Sequence, residues 1–309
     1  MTRLKHFFKE SFRNRALIIM ALPGIVLVFM FNYMPMFGIS IAFKSFNYGK
    51  GILGSPWCGL DNFKMLITNM NVTSRIVRNT LGYYFLFTAV GTVANVALAI
   101  ALYECVFKRY AKVTQTIMIM PTFISFIAVT YIVNALLNNA TGMFNNILKT
   151  MGKKPINWYL APQYWPTILT IVNVWKGTGY GSIMYLSALS GMDQEIFEAA
   201  QIDGATKGQQ IRYITLPMLT GMICILLLLG LGGIMHSNTG LHYQVTKNVG
   251  LLYSTTQTID AFILNALTSG SSNFGMNAAV TFFQSVVGCV MVVATNLIVR
   301  RWDPDKALF

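Results

Sequence analysis

Acidic residues are scarce in this chain: ten Asp and Glu in 309 positions, against twenty-three Lys and Arg. Charged residues of both signs reach only 11%, well under the roughly one quarter of a soluble domain, which argues against a freely soluble protein. Cys58, Cys105, Cys224 and Cys289 have no CxxC spacing, and the last three lie in or beside apolar blocks. A disulfide framework or zinc site is therefore not expected. His6, His236 and His242 are too scattered to gather a metal, so no metal ligands are assigned. The apolar blocks carry almost no carboxylate; Glu104 stands at the end of one. Proton-coupled carriers place Asp, Glu or His inside the membrane as relays, so that scarcity disfavours a secondary transporter. No Ser/His/Asp or paired-carboxylate constellation occurs, and no catalytic residue is assigned. Gly152-Lys153-Lys154 and Gly49-Lys50-Gly51 lack both the upstream Gly and the following Ser/Thr of a phosphate-binding loop. Gly177-Thr178-Gly179-Tyr180-Gly181 lacks dinucleotide-fingerprint spacing and reads as helix packing or a local bend.

What the chain does have is hydrocarbon-compatible length. Apolar residues make up 54% of it, and six stretches approach or exceed the ~20 residues that cross a bilayer core. They run near 16–42, 77–103, 113–137, 165–190, 214–235 and 277–299. This predicts an all-α integral membrane protein with six transmembrane helices. The N-terminal Arg3, Lys5, Lys9, Arg13 and Arg15 followed by an apolar run imitate a signal peptide. The run continues to Ile41 with no cleavage site, so it reads as a retained first span. Pro23 and Pro35 should kink it or end its regular part. The boundaries expected are a cytoplasmic tail at 1–15, a membrane domain at 16–299 with a cytoplasmic loop at 191–213, and a tail at 300–309.

Charge sets the orientation. With the N-terminus inside, cytoplasmic segments hold thirteen Lys/Arg and outer segments nine, and the dense N-terminal cluster decides. Both termini are then cytoplasmic. The +13 balance fits membrane flanks and anionic lipid better than nucleic acid, since no basic helix with interleaved aromatics stands clear of the spans. The outer basic residues leave two readings open: steering of an acidic partner or anionic sugar, or charges that bind nothing specific.

The 191–213 loop is polar in an apolar chain. Met192 to Gln201 reads as a short helix, with Asp193 as N-cap and Glu195 in the first turn. Ile196, Ala199, Ala200 and Ile202 form an apolar face, Asp203-Gly204 signals a turn, and Gly208 to Ile214 reads as a second helical stretch. An amphipathic helix lying on lipid is usually rich in Lys/Arg on its polar face. Here Glu195, Glu198 and Asp203 occupy that face, which favours a protein groove.

From Glu198-Ala199-Ala200 through Asp203-Gly204-Ala205 to Ile214-Thr215-Leu216-Pro217, the spacing resembles the EAA loop of binding-protein-dependent ABC import permeases. Trp57-Cys58-Gly59-Leu60-Asp61-Asn62-Phe63 resembles an element before span two of sugar-import permeases. Asn277 to Gly288 resembles the last span of the oligosaccharide and polysaccharide subgroup. Met235 to Gln244 departs from the G-x-F-D/E-Q-like element usual after span five. The resemblance implies a type I ABC importer permease in a bacterial plasma membrane, moving oligosaccharide handed over by an extracytoplasmic solute-binding protein. It implies a non-identical second permease and two ATPase subunits that carry the ATP and Mg, with no cofactor on this chain. Another solute class is the alternative. Glu198, Ala199, Ala200, Asp203, Gly204, Ala205, Leu216 and Pro217 are then the ATPase-coupling residues.

For the substrate path, sugars offer hydroxyls to Asn and Lys and C–H faces to aromatics. Lys176 is the one charge well inside a span, a costly position that calls for a cavity or a partner. Asn173, Trp175, Lys176 and Tyr180, with Tyr131 and Asn134, are the expected path residues. The competing reading has Trp and Tyr anchoring interfaces and Lys176 snorkelling.

Overall fold

The computed structural model describes residues 15–269 and 273–302. The basic cluster before Arg15, residues 270–272 and the tail beyond Trp302 lie outside the described residues. Among the described residues there is no strand, only an isolated bridge between Lys44 and Trp57. The described residues form two compact units, one of 15–68 plus 273–282, the other of 69–269 and 283–302.

The first unit begins with α1 (Arg15–Val28), none of whose side chains is buried. Past Val28 the regular helix gives way to a π turn, Phe29–Tyr33, then to a 3₁₀ stretch, Met34–Phe43, with Pro35 at its start. Proline has no N–H for the α ladder, so the change of helix type there follows from its chemistry. The Trp57–Phe63 element closes onto the end of this stretch. The Asn62 side-chain amide donates to the Ala42 and Lys44 carbonyls at 2.9 and 3.0 Å. Phe63 packs with Phe43 and Phe282, centroids 5.4 and 6.1 Å away. Lys44, itself buried, donates to the Ile52 carbonyl at 2.8 Å and lies 5.1 Å from the Trp57 ring centre.

The second unit is built on α2 (Met70–Tyr103), α3 (Lys108–Phe123), α4 (Phe126–Leu137), α5 (Trp165–Ser190), α6 (Gln194–Ile202), α7 (Lys207–Gln210), α8 (Leu216–Gly230) and α9 (Ile259–Thr268). α10 (Phe274–Trp302) begins in the first unit and continues into this one. α5 is the central post, with α2 and α3 both packed along it. Two apolar cores result. One gathers Tyr83, Val129, Val133, Trp165, Leu169, Leu241 and Leu252; the other gathers Val96, Ala99, Tyr185, Leu189 and Leu219.

By length and hydropathy, four continuous helical stretches among the described residues suit a membrane span: Arg15–Phe43, Met70–Tyr103, Lys207–Gly233 and Phe274–Arg301. The expected stretch 165–190 coincides with α5, which carries Lys176. The stretch expected at 113–137 needs correction. It is two helices, α3 and α4, meeting at 99° across Ile124 and Ser125. Ser125 caps α4, its hydroxyl accepting from the Ala128 N–H at 3.2 Å, a start signal inside an apolar run.

Candidate functional site

The break between α3 and α4 explains Lys176. The last carbonyls of a helix have no partner of their own, and the Lys176 ammonium reaches from α5 to supply one. It donates to the carbonyls of Pro121 at 3.0 Å and Thr122 at 2.8 Å, and to that of Ile124. The Thr122 hydroxyl returns a bond to the Lys176 carbonyl at 2.8 Å, and the Phe126 ring centre lies 4.9 Å from the ammonium. A cation at a helix C-terminus also meets the negative end of the dipole. All three ammonium hydrogens have acceptors, so Lys176 is a structural cap here, not a free group in a cavity. α3 can sit this close because of Gly179, where a Cβ would fall 1.8 Å from the Met118 carbonyl oxygen.

The other expected path residues separate. Asn173 lines a cavity of about 190 Å³ with Thr88, Thr92, Asn95, Gly177 and Thr178, between α2 and α5. Trp175, Tyr180 and Tyr131 are exposed. Asn134 accepts a bond from Lys247, whose ammonium lies 4.9 Å from the Tyr159 ring centre. Burial pushes the Tyr159 phenol up to about 12, so it stays a neutral hydroxyl beside that ammonium. The departing stretch 235–244 is tied down from two sides. Asp260 accepts from the Ser237 N–H and, at 3.2 Å, from the side-chain amide of Gln284, which also donates to the Met235 carbonyl at 2.8 Å. His242 is buried against Tyr83, ring centres 4.5 Å apart.

The 191–213 loop folds as two short helices. Asp193 caps α6, its carboxylate accepting from the Glu195 N–H at 3.0 Å. Gly204 takes φ +81°, the left-handed turn that Asp203-Gly204 predicts. α7 starts with a reciprocal box between Thr206 and Gln209, a signal the sequence reading passed over. The second helical stretch then differs from the expected Gly208–Ile214. α7 ends at Gln210, a π turn covers Ile211–Thr215, and Pro217 falls at the start of α8 beside the exposed Leu216.

The structure also shows which face of α6 turns inward. Phe197, not named among the apolar positions, is the buried anchor, and Ala200 is half-buried beside it. Ile196, Ala199 and Ile202 face outward, Ile202 being 87% exposed. Glu198, Asp203 and Gly204 are exposed on the same loop and Ala205 is half-buried. The loop thus presents an exposed apolar stripe flanked by a carboxylate, held on a capped and anchored helix.

Residues 105–304 match the family model described as the binding-protein-dependent transport system inner membrane component. The chain belongs to this family. The permease is 30% identical to protein LplB of Bacillus subtilis (strain 168), over 95% of its own length and 91% of the relative's. It is also 30% identical to the polygalacturonan/rhamnogalacturonan transport system permease protein YteP of the same organism, over 96% and 94%. Among solved structures it resembles a chain of a bacterial ABC transporter involved in import of the acidic polysaccharide alginate. That match has TM-score 0.85 and 31% identity over 96% of this chain and 99% of that one. A structure of the alginate transporter in complex with its alginate pentasaccharide-bound periplasmic protein matches at TM-score 0.84 and 31% identity, over 95% and 97%. The chain is an all-α importer permease, and the EAA loop lies within the residues that match the family.

Proposed function

We propose that this permease pairs with a second, non-identical permease and two ATPase subunits to import an oligosaccharide delivered by an extracytoplasmic binding protein. The observation that carries the reading is the outward stripe Ile196, Ala199, Ile202 with Glu198 beside it, on the family's EAA loop. The alanine lets a partner groove approach closely, and Glu198 can pair with an Arg across the joint. ATP and Mg reside on the ATPase subunits. Closure of those subunits carries the loop with it and turns the path outward. Both termini and the 191–213 loop face the cytoplasm of a bacterial cell, six spans in all, α3 and α4 counting as one broken span.

Asn173 marks the path: it lies with Thr88, Asn95 and Thr178 in a polar cavity at a helix–helix seam, suited to sugar hydroxyls. Tyr180, Trp175 and Tyr131 present exposed rings for stacking. Lys176 supports the path from behind through the α3 end. Two of the similar proteins are named for acidic glycans. Lys247 offers an ammonium that contacts Asn134 and the Tyr159 ring, both uncharged. Together these favour a uronate-bearing oligosaccharide.

The test is reconstitution with the partner permease, the ATPase and the binding protein, measuring ATP hydrolysis and uptake over a panel of acidic and neutral oligosaccharides. Glycan-dependent stimulation and uptake are expected, strongest for acidic members. Uptake without ATP, or none across the panel, refutes the reading. Glu198→Lys should break the ATPase joint while leaving membrane insertion intact.

A further inference from the structure

The 191–213 loop is joined to α5 and α8 by the chain itself, through the short links on either side. Its joint to α2 is different, because it is made entirely by side chains. Tyr103, the last residue of α2, accepts through its hydroxyl from the Gln194 amide at 2.7 Å. Glu104, the next residue, holds the Lys207 ammonium at 3.0 Å. Gln194 is the first residue of α6 and Lys207 the first of α7. Each arm of the loop is thus caught at its root by the same helix end. A second lysine, Lys108, donates to the Tyr103 carbonyl at 3.0 Å and steadies that end.

The same helix is clamped again far away. Asn79, buried on α2, donates its amide to the carbonyls of Ser254 and Gln257 at 3.3 and 3.1 Å. The Thr80 hydroxyl accepts from the Ile259 N–H at 3.0 Å, and Arg75 donates to the Gln257 side chain at 2.9 Å. Between Asn79 and Tyr103 the helix rises about 36 Å at 1.5 Å per residue. It contains no proline and no change of helix type over that length. α5 is likewise continuous and reaches the loop through the chain itself; α3 and α4 meet at 99°, and α8 is preceded by a π turn and followed by a 3₁₀ turn. An unbroken helix transmits displacement along its axis, whereas a bend or a π turn absorbs it.

We propose that α2 is a rod linking the EAA loop to the 253–259 segment at the opposite end, with Tyr103 and Glu104 as positioning residues that engage it. The proposal rests on the importer reading. A binding protein acting at the far side and ATP acting at the loop would feel each other through this rod, and the coupling is reciprocal by linkage. The ion pair is poorly placed to serve stability, since Lys207 is 70% exposed and such pairs add little to folding. Its value lies in keeping α2 in register with the loop.

The experiment uses the whole reconstituted complex and compares Glu104→Lys, Lys207→Glu and the double exchange, with Asn79→Ala for the far clamp. Basal ATP hydrolysis, its stimulation by loaded binding protein, and uptake per ATP hydrolysed are measured. Each single variant should keep basal hydrolysis and lose stimulation by about threefold to tenfold. The double exchange should restore it to within about twofold, since the opposite charges meet again. If the single variants keep wild-type stimulation, or basal and stimulated rates fall together, the residues are not engaging a rod and the proposal is overturned. An assembled double exchange no better than its parents overturns it as well. Should a charge reversal prevent assembly, Tyr103→Phe with Glu104→Gln supplies the same comparison without a reversed charge. Absence of stimulation in the wild-type complex strikes the importer reading instead.

Discussion

Replacing Lys176 by methionine removes an ammonium and leaves a side chain of similar length. The carbonyls of Pro121, Thr122 and Ile124 then lose the ammonium at the bend between α3 and α4, Pro121 keeping only the Ile124 N–H at 3.2 Å. Hydrogen bonds to a charged group contribute roughly 1.5–3 kcal/mol each, which gives about 4.5–9 kcal/mol gross. The variant recovers the cost of holding an ammonium away from water, and the freed carbonyls can turn toward one another or to water. Removing one partner of a buried charged cluster costs about 3–5 kcal/mol in measured cases, and Lys176 is half-buried, so the lower part of that range, about 3 kcal/mol, is the expectation. Thermal unfolding of the detergent-solubilised complex should come several degrees earlier. Cysteines placed at the end of α3 and at the facing middle of α5 should cross-link less efficiently as the α3 end frays. Uptake should fall through disorder at the bend, with the binding protein's stimulation of ATP hydrolysis partly retained. A Lys176→Met complex of wild-type thermal stability that fails to transport would refute the cap and return Lys176 to the substrate path.

Three further outcomes follow from the same geometry. Gly179→Val should push α3 away from α5, because even a Cβ meets the Met118 carbonyl at 1.8 Å; a cost of about 1–3 kcal/mol or more should show as lowered yield and melting temperature. Asn62→Ala should release the Ala42 and Lys44 carbonyls and destabilise the first unit by about 1–3 kcal/mol, read as faster proteolysis near Phe43–Phe63. Ile202→Arg should weaken co-purification of the ATPase while leaving the permease's own melting temperature within a degree, since the side chain is 87% exposed; an unchanged complex would show that the stripe does not face the partner.

The loop at 191–213 shows how far local chemistry reads from sequence. Asp193 as cap and Gly204 as left-handed turn are set by neighbours one to three residues away, and both stand in the structure. Which apolar face of α6 turns inward is not legible locally, because Phe197 and the Ile196–Ala199–Ile202 stripe are both apolar. The fold selects between them, burying Phe197 and leaving Ile202 exposed. The broken span at 113–137 was missed for a related reason. Its hydropathy is continuous, and Pro121 with Ser125 is an ordinary pair in a membrane helix until Lys176, over fifty residues later, arrives to hold the loose end.

Sequence alone determined what depends on composition and short-range spacing: an apolar all-α chain, the EAA loop, the motif before span two, and hence the family. It also picked out Lys176 as the charge needing an explanation. The tertiary structure decided the explanation, because an ammonium serves a cavity or a helix end according to what lies within 3 Å of it. It decided too that the end of α2 meets the loop, since Glu104 and Lys207 stand 103 positions apart in sequence and come within 3.0 Å only in the folded chain.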